Sequence, residues 1–432
     1  MRIAIIGSGI SGLGAAWMLH RQHDIVLYEA EPRPGGHSNT IDLDYDGENV
    51  AVDTGFIVYN EANYPNLTAL FSALDVPNVA SDMSFAVSVG GGAVEWAGDN
   101  LRTVFAQRRN LVRPAFLRML RDILRFNKRA PIDLAAGVLD GLTLGDYLVA
   151  QRYSQPFQQH YLLPMGGAIW STSMRGMLDF PAQSFITFCE NHFLLSRDRP
   201  RWRTVAGGSR EYVKRLTALF PDAVRLGCPV VRVSRQADGQ VAVHDAHGGT
   251  AHFDQVILAV HGDQASAMLD APDAEEAEIL GAISYAPNIA YVHRDPALMP
   301  RRRGIWASWN YLSAKGAQED ATVAVTYWMN RLQNIDPQKP LFVTLNPPVM
   351  PQPELTFATL AYDHVQYDMR TLRAQRALPS IQGRGGIWYC GAWTAHGFHE
   401  DGLRSGIEVA EKLGATCPWA RSSATNYKVA AE

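Results

Sequence analysis

The chain opens on a short apolar run, Ile3-Ala4-Ile5-Ile6, followed by the glycine-rich stretch GSGISGLGAAWMLHRQ and a second run, DIVLYEA. Brief apolar runs bounded by glycine and polar residues read as buried strands, and the glycine turn between them runs into a helix. The first thirty residues therefore predict strand, turn, helix, strand. Around residues 225–262, VVRVSRQADGQVAVHDA reads as a hairpin turning at Asp238-Gly239, and HFDQVILAV as a buried strand that closes the unit. Near the end, GIWYCGAWTAHGFHEDGLRSGIEVAEKLG reads strand, glycine-rich loop, helix. Residues 76–200 read as helical and aromatic-rich, and 285–365 carry strand runs such as TVAVTYWMN and LFVTLN.

This order predicts an α/β protein: a discontinuous Rossmann-type domain from residues 1–75, 204–265 and 384–416, an inserted α+β substrate domain from 76–203 and 266–383, and a frayed polar tail at 417–432. The length of 432 residues suits two or three domains. With 47% hydrophobic and 19% charged residues the chain is expected to be a globular protein with a large core. A formal net charge of −4 argues against a surface that coats nucleic acid. Four scattered cysteines suggest reduced thiols and a cytoplasmic protein, and no signal peptide or membrane-spanning run is read from the pattern.

Gly7-Ser8-Gly9-Ile10-Ser11-Gly12 is G-x-G-x-x-G, and it follows a strand and opens a helix. Gly7 suits the tight turn, Gly9 lets backbone approach a pyrophosphate, and Gly12 lets helix and strand pack closely. Glu29 ends the second strand, 22 residues after Gly7, where a carboxylate can accept both ribose hydroxyls. A dinucleotide is the expected ligand. The continuation E-A-E-P-R-P-G-G-H, with Arg33, Gly36 and His37, resembles the extended FAD fingerprint of the flavin amine oxidase, phytoene desaturase and protoporphyrinogen oxidase superfamily. That resemblance implies a glutathione-reductase-like FAD fold. Cys390, before Gly391, offers a site for covalent flavin attachment but reads as a buried strand cysteine, so non-covalent FAD is expected. The resemblance departs at His37, where the family usually carries a basic residue. Carried onto this chain, it places FAD contacts at Gly7, Gly9, Ile10, Ser11, Gly12, Glu29, Ala30, Arg33, Gly36, His37, Gly55, Phe56 and Ile57. It adds the backbone of Val231 at the adenine, then Gly391, Asp401, Gly402 and Leu403, with a helix starting near Gly402 aimed at the flavin. NAD is the alternative dinucleotide, and it would leave this C-terminal block unexplained.

Longer segments resemble a narrower group: DTGFIVYNEANYPNL (53–67), SDMSFAVSV (81–89), LLPMGGAIWS (162–171), VTYWMNRLQ (325–333), LFVTLNP (341–347) and CGAWTAHGFHEDGLRSG (390–406). They are similar to the flavin domain fused to the methyltransferase in plant cyclopropane fatty acid synthases and to free-standing bacterial flavoproteins of that group. The resemblance implies oxidation, as a desaturation, of methyl-branched or otherwise modified acyl chains of membrane phospholipids, with a lipid methyltransferase as a partner. Flavin N5 can accept a hydride, so the protein must position the carbon and take up a proton. Glu400 and His399 are the candidate catalytic groups. Trp170, Trp309, Tyr327 and Trp328 are candidate walls of an apolar substrate tunnel. Two readings stay open beside this one: an amine or isoprenoid oxidase, and a flavin-binding scaffold without turnover. No lysine lies in residues 129–213, which disfavours the amine reading. The histidines show no metal-ligand spacing, so no metal is expected.

Residues 101–130 hold Arg102, Arg108, Arg109, Arg113, Arg118, Arg121, Arg125, Lys128 and Arg129 against a single acid, Asp122. Leu111, Phe116, Leu117, Leu120, Ile123, Leu124 and Phe126 lie between these charges. A basic helix with an apolar face is the form of a peripheral anchor on anionic lipid, here at the inner face of the cell membrane. Arg301-Arg302-Arg303 and Arg197, Arg199 and Arg201 around Trp202 extend the candidate patch. The competing reading is a helix whose apolar stripe packs on the core.

Overall fold

Five short strands from three separated stretches of chain pair into one parallel sheet, in the order Val224–Arg225, Asp24–Tyr28, Arg2–Ile6, Gln255–Leu258, Ile387–Tyr389. The computed structural model describes residues 1–196, 200–314 and 323–419. Side chains alternate across a strand, so this sheet has two apolar faces. Ile3, Ile5, Ile25 and Leu27 pack under the helices Ile10–Leu19, Arg210–Thr217 and His399–Lys412. Ala4, Ile6, Val26 and Tyr28 face the antiparallel sheet Val230–Arg235, Val241–Asp245, Thr250–Phe253. That sheet contains the expected hairpin, with Gly239 at φ +87° in its turn.

A second, seven-stranded mixed sheet runs Thr356–Gln366, Ser284–His293, Phe342–Leu345, Ala324–Trp328, Trp309–Leu312, Phe85–Val89, Val94–Ala97. Beside it lies a helical layer that includes Pro114–Ala135, Leu144–Ala150, Leu163–Trp170 and Ala182–Asn191, around Phe126, Tyr147, Phe157 and Phe185. The stretch read as helical from residue 76 begins instead with strands, Asn78–Ala80, Phe85–Val89 and Val94–Ala97. Gly90, Gly91 and Gly92, all at positive φ, turn the latter two into a hairpin.

The cores also cross the expected domain boundaries. Leu43, Tyr45, Val52, Ile57 and Val58 pack with the seven-stranded sheet, although they fall within 1–75. Ile279, Leu280, Ala374 and Leu378 pack on the parallel sheet, although they fall within 266–383. Trp419 stacks on Trp17 at 5.4 Å and donates to Asn66, so the chain is packed as far as the third residue of the expected tail, and residues 420–432 lie outside the described ones. Among the described residues no helix is long and apolar enough to cross a membrane.

Candidate active site

One cavity of about 1520 Å³ begins at the carboxyl ends of the parallel strands and continues under the seven-stranded sheet. Its first arm is made mostly of backbone. Gly7, at φ +100°, turns the chain out of the first strand, and Ser8, Gly9, Ile10 and Ser11 line the wall as the first helix begins. A Cβ on Gly9 would have nothing within 4 Å, so this backbone is bare to the cavity. A Cβ on Gly12 would lie 1.9 Å from the Gly7 carbonyl oxygen; this glycine lets helix and turn meet and does not itself line the cavity. Glu29 lines the arm, accepting from the backbone N–H groups of Ser8 and Glu31, each at 2.9 Å, and from the Ser8 hydroxyl. A cradle of bare glycine backbone, a helix N-terminus and an immobilised carboxylate fits the pyrophosphate and ribose of FAD.

Ala30, Gly36, His37, Gly55, Phe56, Ile57 and Gly391 line the cavity as well. Arg33 does not; its guanidinium donates to the Gly36 carbonyl at 3.0 Å and braces the turn from behind. Val231 is 55% exposed and away from the cavity, whereas Val230 is buried and lines it. A register shift between Val230 and Arg232 sends two successive side chains outward, which spacing alone did not reveal. The last helix starts at His399, three residues before the expected Gly402. Gly397, Phe398 and His399 line the cavity, while Asp401, Gly402 and Leu403 lie behind it. Asp401 caps the helix by accepting from Phe398 N–H at 3.1 Å, and Gly402 and Leu403 pack on Ile10, Ser11 and Gly14. Cys390 is buried outside the cavity, its thiol pushed up to about 12 by burial.

Glu400 is also displaced from its expected role. It is 2% exposed and off the cavity. Its carboxylate accepts from the backbone N–H groups of Asn66 and Leu67, both at 3.0 Å, and from the Asn66 side chain at 2.7 Å. These donors are the first turn of the helix Pro65–Ala73, whose own N-cap, Tyr64, supplies no side-chain bond. Glu400 is therefore a cap provided from elsewhere in the chain. Burial raises its pKa to about 7 against those hydrogen bonds.

His399 stays at the wall. It stacks on Phe56 at 3.9 Å, and its Nε2 lies 2.9 Å from Ser38 Oγ and 3.0 Å from Tyr212 Oη. Burial holds it neutral, with a pKa lowered to about 3. His37, lowered to about 3 by burial and then by His364, packs against Tyr362 and His364 at 5.1 and 5.8 Å. His192 was missed from sequence. It lines the second arm, stacks on Phe188 at 3.8 Å, and places Nδ1 3.0 Å from the Phe188 carbonyl. A carbonyl only accepts, so Nδ1 carries the proton in the neutral ring and Nε2 keeps its lone pair. Nε2 has no hydrogen-bond partner among the described residues, and burial lowers the ring's pKa to about 3. An isolated histidine between Asn191 and Phe193 carries no spacing signal that would single it out.

The second arm is aromatic and aliphatic. Trp170, Trp309 and Tyr327 line it, the last two edge to face at 4.8 Å, together with Met83, Phe85, Met165 and Ile169. Trp328 lies outside: adjacent residues on a strand face opposite ways, and its indole N–H donates to Asn330 at 3.0 Å. At the rim Asp82 pairs with Arg331 at 2.8 Å. Among the described residues no group of three or more His, Cys, Asp or Glu side chains could hold a metal ion.

Comparison with known proteins agrees with the fold. Residues 10–294 match the model of the family described as flavin containing amine oxidoreductase, about two thirds of the chain. Solved structures with similar folds include putrescine oxidase bound to putrescine (17% identity, TM-score 0.67, 96% of this chain and 99% of that one). Others are cyclohexylamine oxidase from Brevibacterium oxydans (15%, 0.67, 95% and 99%) and a CLA-producing fatty acid isomerase from P. acnes (14%, 0.66, 96% and 99%). No curated sequence is significantly similar to the chain.

Proposed function

The chain belongs to the flavin-containing amine oxidoreductase family and is an FAD-dependent oxidoreductase, and on that premise we propose that it oxidises the acyl chain of a membrane phospholipid, desaturating a methyl-branched or otherwise modified fatty acyl group. The observation that carries this reading is the second arm of the cavity. Its wall is built from Met83, Phe85, Met165, Ile169, Trp309 and Tyr327, and no lysine lines it among the described residues. An alkyl chain gains roughly 0.8 kcal/mol for each methylene moved from water into such surroundings, whereas an ammonium group loses its hydration there. The fatty acid isomerase with the same fold is consistent with this reading.

Bound FAD supplies the two-electron acceptor. Desaturation removes two hydrogens from adjacent carbons, one leaving with its electron pair and the other as a proton. The chain must therefore hold the alkyl group, exclude water and accept that proton. Glu400 is occupied as a helix cap, and His399 is held between Ser38, Tyr212 and Phe56. His192 offers a neutral imidazole with an uncommitted Nε2 on the wall of the apolar arm, and we assign it the role of proton acceptor.

The test is anaerobic mixing of the holoprotein with liposomes that carry mid-chain-methylated acyl groups, following the visible flavin band. Bleaching by these lipids and not by amines is the expected result. Bleaching by amines alone would establish an amine oxidase and overturn the proposal.

A further inference from the structure

Leu101 is 76% and Val112 79% exposed, and Leu111, Leu117 and Leu124 join them within one short stretch of chain. The inward stripe of the helix Pro114–Ala135 is Phe116, Met119, Asp122, Phe126 and Ala130, so these five leucine and valine side chains are surplus to the core. Among the described residues, the side chains of Arg102, Arg108, Arg113, Arg118 and Lys128 make no ion pair or hydrogen bond, whereas Arg125 and Arg129 are tied to Asp122 and Asp133.

The fold then adds two things. Gly98, Asp99 and Asn100 line the cavity, so Leu101 and Arg102 stand at its rim. From that rim the chain runs back along the edge strand Val94–Ala97: Gln107 receives Glu95 N–H and donates to the Gly92 carbonyl, and Arg109 donates to the Ala93 carbonyl. Alongside, Ala106 packs on Ile305 and Ala307, which brings exposed Arg301, Arg302 and Arg303 next to the same stretch. Arg302 is paired with Glu95 at 3.6 Å, and the other exposed cations of these two distant segments lie with bare apolar side chains on one surface that starts at the mouth of an apolar cavity.

We propose that this surface, built on residues 101–124 with Arg301 and Arg303, docks the protein onto an anionic lipid bilayer with the cavity mouth facing the membrane. Cations alone would suit any polyanion. Interleaved leucine and valine side chains need an apolar phase beneath the charged layer, which a bilayer has and a nucleic acid lacks. Docking removes the need to draw a whole acyl chain through water. For its purpose the inference rests on the acyl-chain reading; the binding itself rests only on the surface.

Flotation of the holoprotein with vesicles tests it, comparing pure phosphatidylcholine with vesicles containing about a third phosphatidylglycerol. Preferential binding to the anionic vesicles is expected. Combining Arg108→Gln, Arg113→Gln and Arg118→Gln should lower it about a hundredfold, at roughly fivefold per charge. Leu111→Asn with Val112→Asn should lower it about tenfold with the charge unchanged. Equal binding to both vesicles, or undiminished binding by either variant, overturns the inference. Flavin bleaching by a detergent-dispersed acyl substrate reports the chemistry separately. Bleaching without vesicle binding removes the docking surface alone, and vesicle binding without bleaching removes the acyl reading alone.

Discussion

At the dinucleotide end of the cavity the wall is backbone, with Gly7, Gly9 and Ser11 placed within five residues of one another; at the other end it is side chain, from residues as distant as Met83, His192 and Tyr327. Phosphates are met by N–H groups that every residue carries, so binding there depends on what is absent, a Cβ. The acyl chain proposed for the second arm would be met by bulk and shape, so binding there would depend on what is present. The first arm should therefore respond to the smallest added atom, and the second to chemistry removed from one side chain.

The largest expected effect comes from Gly12→Ala. Its Cβ would lie 1.9 Å from the Gly7 oxygen, and either the turn or the helix must move. Loss of about 3 kcal/mol in stability and failure to retain FAD on purification are expected. Gly9→Ala has open space around its Cβ and should melt within about 0.5 kcal/mol of the parent while losing FAD affinity. If flavin titration found Gly9→Ala binding FAD normally, the distinction between the arms would not hold.

His192→Phe keeps the stack on Phe188 and removes the ring nitrogens. Lipid-dependent flavin reduction should slow about a hundredfold or more, with FAD affinity unchanged. An unaltered rate would return the search for the base to His399.

Glu400→Gln should leave that rate alone and act on stability, at about 1–2 kcal/mol, because the amide caps the helix Pro65–Ala73 less well. It should also change the pH profile. The folded carboxyl pKa is raised from 4.5 to about 7, so its contribution is full below 4.5 and fades as pH rises through 7. The histidines act oppositely: His37, His192 and His399 are lowered from 6.5 to about 3, and their contribution is present above 6.5 and lost on acidification. His293 and His364, lowered to about 4, add to the histidines, and Asp53, raised to about 6, adds to Glu400; five imidazoles outweigh two carboxyls, so thermal melts should fall from pH 6.5 downward, more steeply in Glu400→Gln than in the parent.

The smallest effect separates neighbours on one strand. Val230→Ala should cost about 1 kcal/mol and weaken FAD binding, whereas Val231→Ser, on an exposed side chain, should stay within about 0.5 kcal/mol in both.

Much of the first arm was legible in the sequence. Gly7, Gly9, Gly12 and Glu29 are tied to a strand, a turn and a helix by local spacing, and the structure keeps that order. The C-terminal block was legible as strand, loop and helix, but not in its details. Asp401 and Glu400 both read as acids near a flavin, and only the packing of Pro65–Ala73 against the last helix makes Glu400 a cap. Tyr327 and Trp328 read alike until the strand's alternation turns one inward and the other outward.

The basic helix divided in the same way. Its charge and amphipathic pattern were visible in the sequence, but Phe116, Ile123 and Phe126, expected on the lipid side, pack inward, and Leu117 and Leu124 stay outside. Arg197 and Arg199 fall outside the described residues. By itself the sequence determined the strand–turn–helix that receives the dinucleotide, because hydrogen bonds to phosphate and ribose come from a few consecutive residues whose spacing is their geometry. Only the tertiary structure decided which histidines reach the cavity wall, which carboxylate is withdrawn, and which apolar side chains remain uncovered. Each of those depends on contacts between residues far apart in the chain, and local spacing carries no record of them.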